Sequence, residues 1–120
     1  MAKKILVIDD DPVGGALMKS RLAKEGYEVM LALNGDQGLK ALASFSPGLI
    51  VLDVEMPEMN GYTFVGEIQK IDAAKNTPII VLTAHEENKK IFARKGISHY
   101  LVKPVDFNLL FAQMNELMPS

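Results

Sequence analysis

The chain carries fifteen acidic residues, yet Asp9, Asp10, Asp11, Asp53, Glu55 and Glu58 crowd into just two short segments. Each segment follows an apolar run, Ile5-Leu6-Val7-Ile8 in one case and Leu49-Ile50-Val51-Leu52 in the other. Carboxylates held within a few ångströms repel one another unless a cation or an ammonium group offsets their charge. The donors are oxygen-rich, cysteine is absent and the chain has two histidines, a set that suits Mg²⁺ better than zinc or copper. A carboxylate can also act as a phosphoryl nucleophile, and in-line transfer needs charge neutralisation more than it needs a base. Two further apolar runs end at Thr83 and just before Lys103, which would supply a hydroxyl donor and a mobile positive charge for the same phosphate.

Taken singly, each of these residues has a simpler reading. An aspartate after a strand is an ordinary turn or cap residue, Thr83 an ordinary helix cap and Lys103 an ordinary solvated lysine. Their common position argues for a shared site. Residues 5–8, 27–33, 49–52, 78–82 and 99–102 read as strands, the third and fourth apolar on both faces. Between them, Pro12 can open a helix that Gly26 stops, with Val13, Leu17 and Leu22 near helical spacing. Gly14 and Gly15 weaken its first turn and leave a smooth patch beside the acidic loop. Asn34-Gly35 suggests a turn, followed by a short helix over 37–43 that ends before Pro47-Gly48. Further helices are predicted over 62–71 and 86–95, the latter stopped by Gly96. A last helix is capped by Asp106 and carries Phe107, Leu110, Phe111, Met114, Leu117 and Met118 as its apolar stripe. Alternating buried strands and helices imply an α/β fold with a parallel sheet covered on both sides. The crevice of such a fold lies beyond the carboxyl ends of the strands. Asp9, Asp10, Asp53, Thr83 and Lys103 all belong to that edge.

The remaining composition bounds the function. One hundred and twenty residues, nearly half of them hydrophobic, suffice for a single domain over 1–120 with a continuous core. A net charge of −2 argues against a basic nucleic-acid surface, so no direct nucleic-acid binding is expected. No apolar run is bounded like a membrane helix and the first segment lacks a secretory pattern, which predicts a cytoplasmic protein without membrane contact. Asp11 reads as a loop or cap residue, and His85 and His99 as peripheral.

Four stretches together resemble the response-regulator receiver domains of two-component signalling systems, those of chemotaxis regulators among them. They are Lys4-Ile5-Leu6-Val7-Ile8-Asp9-Asp10-Asp11-Pro12, Leu52-Asp53-Val54-Glu55-Met56-Pro57-Glu58-Met59-Asn60-Gly61, Leu82-Thr83-Ala84 and Tyr100-Leu101-Val102-Lys103-Pro104. They occur in the family's order and span essentially the whole chain. The resemblance implies a flavodoxin-like, doubly wound (βα)5 three-layer sandwich with sheet order 2-1-3-4-5. It also implies Asp53 as the phosphorylated residue, Asp10 as the direct Mg²⁺ ligand and Asp9 as an acidic partner acting through water. By the same resemblance Glu55 offers its backbone carbonyl to the metal and Lys103 contacts the phosphate. Thr83 and Tyr100 become the switch pair, and the Lys103–Pro104 bond is expected to be cis. The implied donor is a histidine kinase or phosphotransfer protein, and the implied readout is the face made by the fourth helix, fifth strand and fifth helix. Such a protein would be a monomer or a weak phosphorylation-dependent dimer. It would catalyse its own phosphorylation and dephosphorylation rather than turn over a separate substrate.

The segment between Thr83 and Gly96 departs from the resemblance. It is shorter than the family's usual spacing and carries Glu86, Glu87, Lys89, Lys90, Arg94 and Lys95. Ile97-Ser98-His99 also replaces the small and acidic residues frequent before the tyrosine. Other function classes fit less well. A phosphorylation-independent interaction module would not need Asp10, Asp53, Thr83 and Lys103 together. An aspartate-based phosphatase would need a cap domain and substrate pocket, and a flavodoxin-like electron carrier a phosphate-cradling first loop in place of the acidic one.

Overall fold

Strands that are apolar at every position must be covered on both faces, and this requirement organises the molecule. The structure is a computed structural model that describes residues 3–54, 61–72 and 74–118. Its elements alternate as β1 (Lys4–Ile8), α1 (Pro12–Lys24), β2 (Glu28–Ala32), α2 (Gly35–Phe45), β3 (Leu49–Asp53), α3 (Gly61–Ile68), β4 (Ile79–Thr83), α4 (Asn88–Ala93), β5 (His99–Val102) and α5 (Phe107–Leu117). The strands form one parallel sheet in the order β2-β1-β3-β4-β5, the expected flavodoxin-like topology. Among the described residues, no helix is long and apolar enough to cross a membrane.

Successive side chains of a strand point to opposite faces, and the two halves of the core follow that alternation. Leu6, Ile8, Ile50, Leu52 and Val81 meet Ala41, Leu42, Phe64, Val65, Ile68 and Phe92 from α2, α3 and α4. Ile5, Val7, Leu49, Val51, Ile80, Leu82 and Leu101 meet Met18, Leu22, Leu110 and Met114 from α1 and α5. Each fully buried large side chain contributes roughly 1.5–3 kcal/mol, whereas a helix cap contributes about 1 kcal/mol. Packing therefore decides where the helices sit, and the caps trim their ends. Asp11 caps α1 by accepting from the Val13 N–H at 3.0 Å. Asp106 caps α5 by accepting from Asn108 and Leu109, and the predicted stripe on α5 faces the sheet.

Three local expectations are corrected. Asn34-Gly35 is not a free turn: the Asn34 side chain accepts from the Gln37 N–H at 2.8 Å, and α2 begins at Gly35. In α1 the buried residues are Gly15, Met18 and Leu22, while Val13 and Leu17 are about two-thirds exposed. The reason is a close approach. A Cβ on Gly15 would lie 2.7 Å from Leu31 Cδ1, so the glycine lets α1 settle onto β2 and turns the neighbouring apolar residues outward. Finally, α4 contains six residues rather than the ten of 86–95, and Phe92 is its buried anchor. Gly26 and Gly96 end their helices at φ values of 97° and 80°, in the left-handed region that glycine enters freely.

Candidate functional site

Asp53 closes β3, the middle strand, and only 3% of its surface is exposed. A buried carboxylate requires a partner, and Lys103 Nζ lies 2.8 Å from Asp53 Oδ2. Lys103 is carried there by the end of β5, whose register is held when the Lys103 N–H donates to the Thr83 carbonyl at 2.7 Å. The Val54 N–H similarly donates to the Leu82 carbonyl at 3.2 Å, joining the ends of β3 and β4. The Lys103–Pro104 peptide is cis, as the resemblance implied.

The β1 end supplies the other carboxylates. The Asp9 N–H donates to the Ala32 carbonyl at 3.0 Å, and the Asp11 N–H donates to Asp9 Oδ1 at 2.9 Å, curling the loop back on itself. Asp9, Asp10 and Asp53 can each present one oxygen so that all three lie within 4.8 Å of one another. Desolvation raises the Asp9 carboxyl above its ordinary value of 3.8, with the Asp53 charge adding to the rise and the Asp11 N–H and Lys103 opposing it. The arrangement suits a hard cation: oxygen donors, clustered carboxylates and one solvent-facing member, Asp10. An open cleft of about 480 Å³ leads to these groups, lined by Asp9, Asp11, Gly14, Leu17, Asp53, Lys103 and Pro104 among others. Gly14 keeps its wall low, since a Cβ there would stand 3.0 Å from Asp11 Oδ2.

Thr83 is fully buried at the end of β4. Its hydroxyl accepts from the His85 N–H at 3.0 Å and from Asn88 Nδ2 at 2.9 Å, and donates to the His85 carbonyl at 3.2 Å. Tyr100, partly buried on β5, has Lys89 Nζ 5.2 Å from its ring centre, and its carbonyl accepts from Gln113. His85 pairs loosely with Glu87, and His99 with Glu116 at 3.3 Å; neither belongs to the three-carboxylate group. Glu55 and Glu58 lie outside the described residues. Thus Asp9, Asp10, Asp53 and Lys103 converge, and Thr83 is joined to them through the Lys103 backbone. Asn88 and Lys89, which touch Thr83 and Tyr100, were visible in the sequence only as part of a polar, charged run. No spacing rule distinguishes them there.

Comparison with known proteins agrees with this geometry. Residues 5–115 match the family model of the response regulator receiver domain. The response regulator protein TrrA from Thermotoga maritima, solved in complex with Mg²⁺ and BeF, superposes with a TM-score of 0.86 at 37% identity, covering 97% of this chain and 99% of that one. A 14.6 kDa protein encoded in the sodA1 3′ region of Leptolyngbya boryana is 40% identical over 104 residues, 85% of this chain and 79% of that protein. The transcriptional regulatory protein GlrR of Escherichia coli K12 is 35% identical over 116 residues, 95% of this chain. The chain spans only 26% of GlrR's length.

Proposed function

The chain belongs to the response-regulator receiver domain family, and from that premise we propose that Asp53 is its phosphoacceptor, within a single receiver domain over 1–120. The observation that carries the assignment is the buried Asp53 carboxylate, paired with Lys103 at 2.8 Å and grouped with Asp9 and Asp10. The donor class is a histidine kinase or phosphotransfer protein. An Asp53 carboxylate oxygen attacks the phosphorus of a phosphohistidine, the P–N bond breaks, and the imidazole leaves with the bonding pair. The product is an acyl phosphate on this chain's own residue, so the reaction consumes the site once per cycle. Water attack on the same phosphorus later returns the carboxylate.

The protein's part is positioning and charge. Lys103 already reaches the Asp53 carboxylate and follows the negative charge onto the phosphoryl oxygens. Asp10, Asp9 and Asp53 would hold Mg²⁺, which when bound supplies positive charge to the transferring phosphoryl group; the supporting fit is the all-oxygen donor set. TrrA was solved with Mg²⁺ and BeF, which supports the same chemistry here. Thr83 and Tyr100 act as the switch: the hydroxyl moves toward the new oxygens and the ring responds, biasing the α4–β5–α5 face between two arrangements. The recipient of that signal is a protein rather than DNA.

Incubation with a small phosphodonor and Mg²⁺, followed by intact-mass measurement, tests the assignment. One added phosphoryl group is expected with Mg²⁺ and none with a chelator; an unlabelled protein in both would overturn it. A second outcome follows from Asp9. Because its folded carboxyl is raised above 3.8, protonation in the folded state begins at higher pH than for an ordinary aspartate. The proton stabilises the metal-free fold as pH falls, and it competes with the metal. The Mg²⁺-induced rise in Tm is therefore expected to shrink on acidification, starting at higher pH than an ordinary aspartate would dictate. A melt series at fixed Mg²⁺ from neutral to acid pH reads this directly.

A further inference from the structure

A hydroxyl has one proton to give and two lone pairs to receive. At Thr83 three such contacts fall within the β4–α4 connection. The lone pairs take the His85 N–H and the Asn88 amide, and the proton goes to the His85 carbonyl. That carbonyl also accepts the Asn88 N–H at 3.1 Å, so Thr83, His85 and Asn88 form a closed knot at the start of α4. The next residue, Lys89, places its ammonium over the Tyr100 ring at 5.2 Å. Consecutive residues of one short helix therefore hold both the hydroxyl and the ring.

We propose that Asn88 is a positioning residue that holds the Thr83 hydroxyl in its contacts with the start of α4, and that Lys89 restrains Tyr100 in the same arrangement. The inference rests on the phosphoacceptor reading, because the latch has meaning only if Thr83 must move to meet a phosphoryl group. For Thr83 to reach those oxygens, its proton must leave His85 and its lone pair must release Asn88. The half-buried Asn88 amide then has to find water or a new acceptor. The latch thus opposes phosphorylation and favours the resting state. It also explains how a six-residue helix with one buried anchor is held to the switch: the fastening is polar and reversible.

The test compares wild type with Asn88→Ala, Asn88→Leu and Lys89→Met, using beryllofluoride as the phosphoryl mimic at fixed saturating Mg²⁺. Each protein's half-saturating beryllofluoride concentration and its Tm with and without the mimic are measured. Leu fills the volume of Asn without its donor, and Ala empties it, so a shared effect isolates the hydrogen bond. Both Asn88 variants are expected to bind beryllofluoride about threefold to tenfold more tightly, the range spanned by one neutral hydrogen bond. Lys89→Met is expected to tighten binding about twofold to fivefold, the range of an exposed cation–π contact. Loss of a cation would by itself weaken an anion's binding, so tightening there cannot come from net charge.

The free Asn88 variants should melt lower than wild type while the Mg²⁺–beryllofluoride forms melt with it. A purely structural role would lower both melts together and leave half-saturation unchanged, which would overturn the latch. Either Asn88 variant that unfolds cooperatively suffices, and wild-type or weaker binding in it also overturns the proposal. A wild type that binds no beryllofluoride overturns the phosphoacceptor reading instead, and the latch falls with it.

Discussion

Asp53→Asn is expected to abolish phosphoryl labelling completely while leaving a folded protein. Asn has nearly the volume of Asp, so the 3% exposed site at the end of β3 keeps its packing. The carboxamide, however, offers no anionic oxygen to attack phosphorus. Asp9 and Asp10 do not rescue the reaction. They share the three-carboxylate group, but Asp53 is the member that Lys103 reaches at 2.8 Å and the one held on a central strand rather than a loop. Stability should move the other way from activity. Removing the Asp53 charge relieves part of the repulsion that helps raise the Asp9 carboxyl. The Mg²⁺-free variant should therefore melt no lower than wild type, and the Mg²⁺-induced rise in Tm should be smaller. Intact mass after phosphodonor treatment, together with paired melts, checks both parts. Undiminished labelling would move the acceptor to Asp9 or Asp10.

Lys103→Met should be nearly as damaging, for a different reason. Met keeps the aliphatic stem and removes the ammonium, leaving a carboxylate with 4% side-chain exposure short of its nearest cation. Breaking a deeply buried ion pair from one side costs about 3–5 kcal/mol. Lys103 is one-third exposed, and solvent screening brings the expected loss to roughly 1–2 kcal/mol in Mg²⁺-free urea titrations. Added Mg²⁺ should recover part of that loss, since it supplies charge to the same oxygens. Labelling should slow by about 10²-fold, the scale on which loss of one preorganised stabilising group slows charge-developing reactions. Single-turnover labelling that ran at the wild-type rate would remove Lys103 from the chemistry and leave it a structural partner of Asp53.

Much of this site was legible in the residues because a parallel sheet imposes a simple grammar. Its inner strands are buried on both faces and so appear as uninterrupted apolar runs, as in residues 49–52 and 79–82. The first polar residue after such a run must lie near the carboxyl edge, which is how Asp9, Asp53, Thr83 and Lys103 declared a common location. The helices were harder. The orientation of α1 depends on where Gly15 meets Leu31, a contact across sixteen positions that local periodicity does not contain. Asn34-Gly35 has the composition of a turn, but β2 delivers it in the geometry of a cap. The contacts of Asn88 and Lys89 arise from the trimmed length of α4 and its placement against β4 and β5. Their polar character was plain; which partner each would touch was a question of distance, and distance across a fold is not written in neighbouring letters.

The position of β3 has a consequence for descent. It lies third of five strands, every one of its residues is buried, and it contributes to the core on both faces of the sheet. Substitutions there disturb packing on both faces of the sheet at once. By contrast, α4 exposes Lys89, Lys90, Ile91 and Ala93, and its sole buried residue is Phe92. A lineage can therefore rewrite the face of α4 through many small changes while inheriting the acceptor intact. Changes on the exposed face of α4 disturb the core, and with it the acceptor, far less than changes in β3 do.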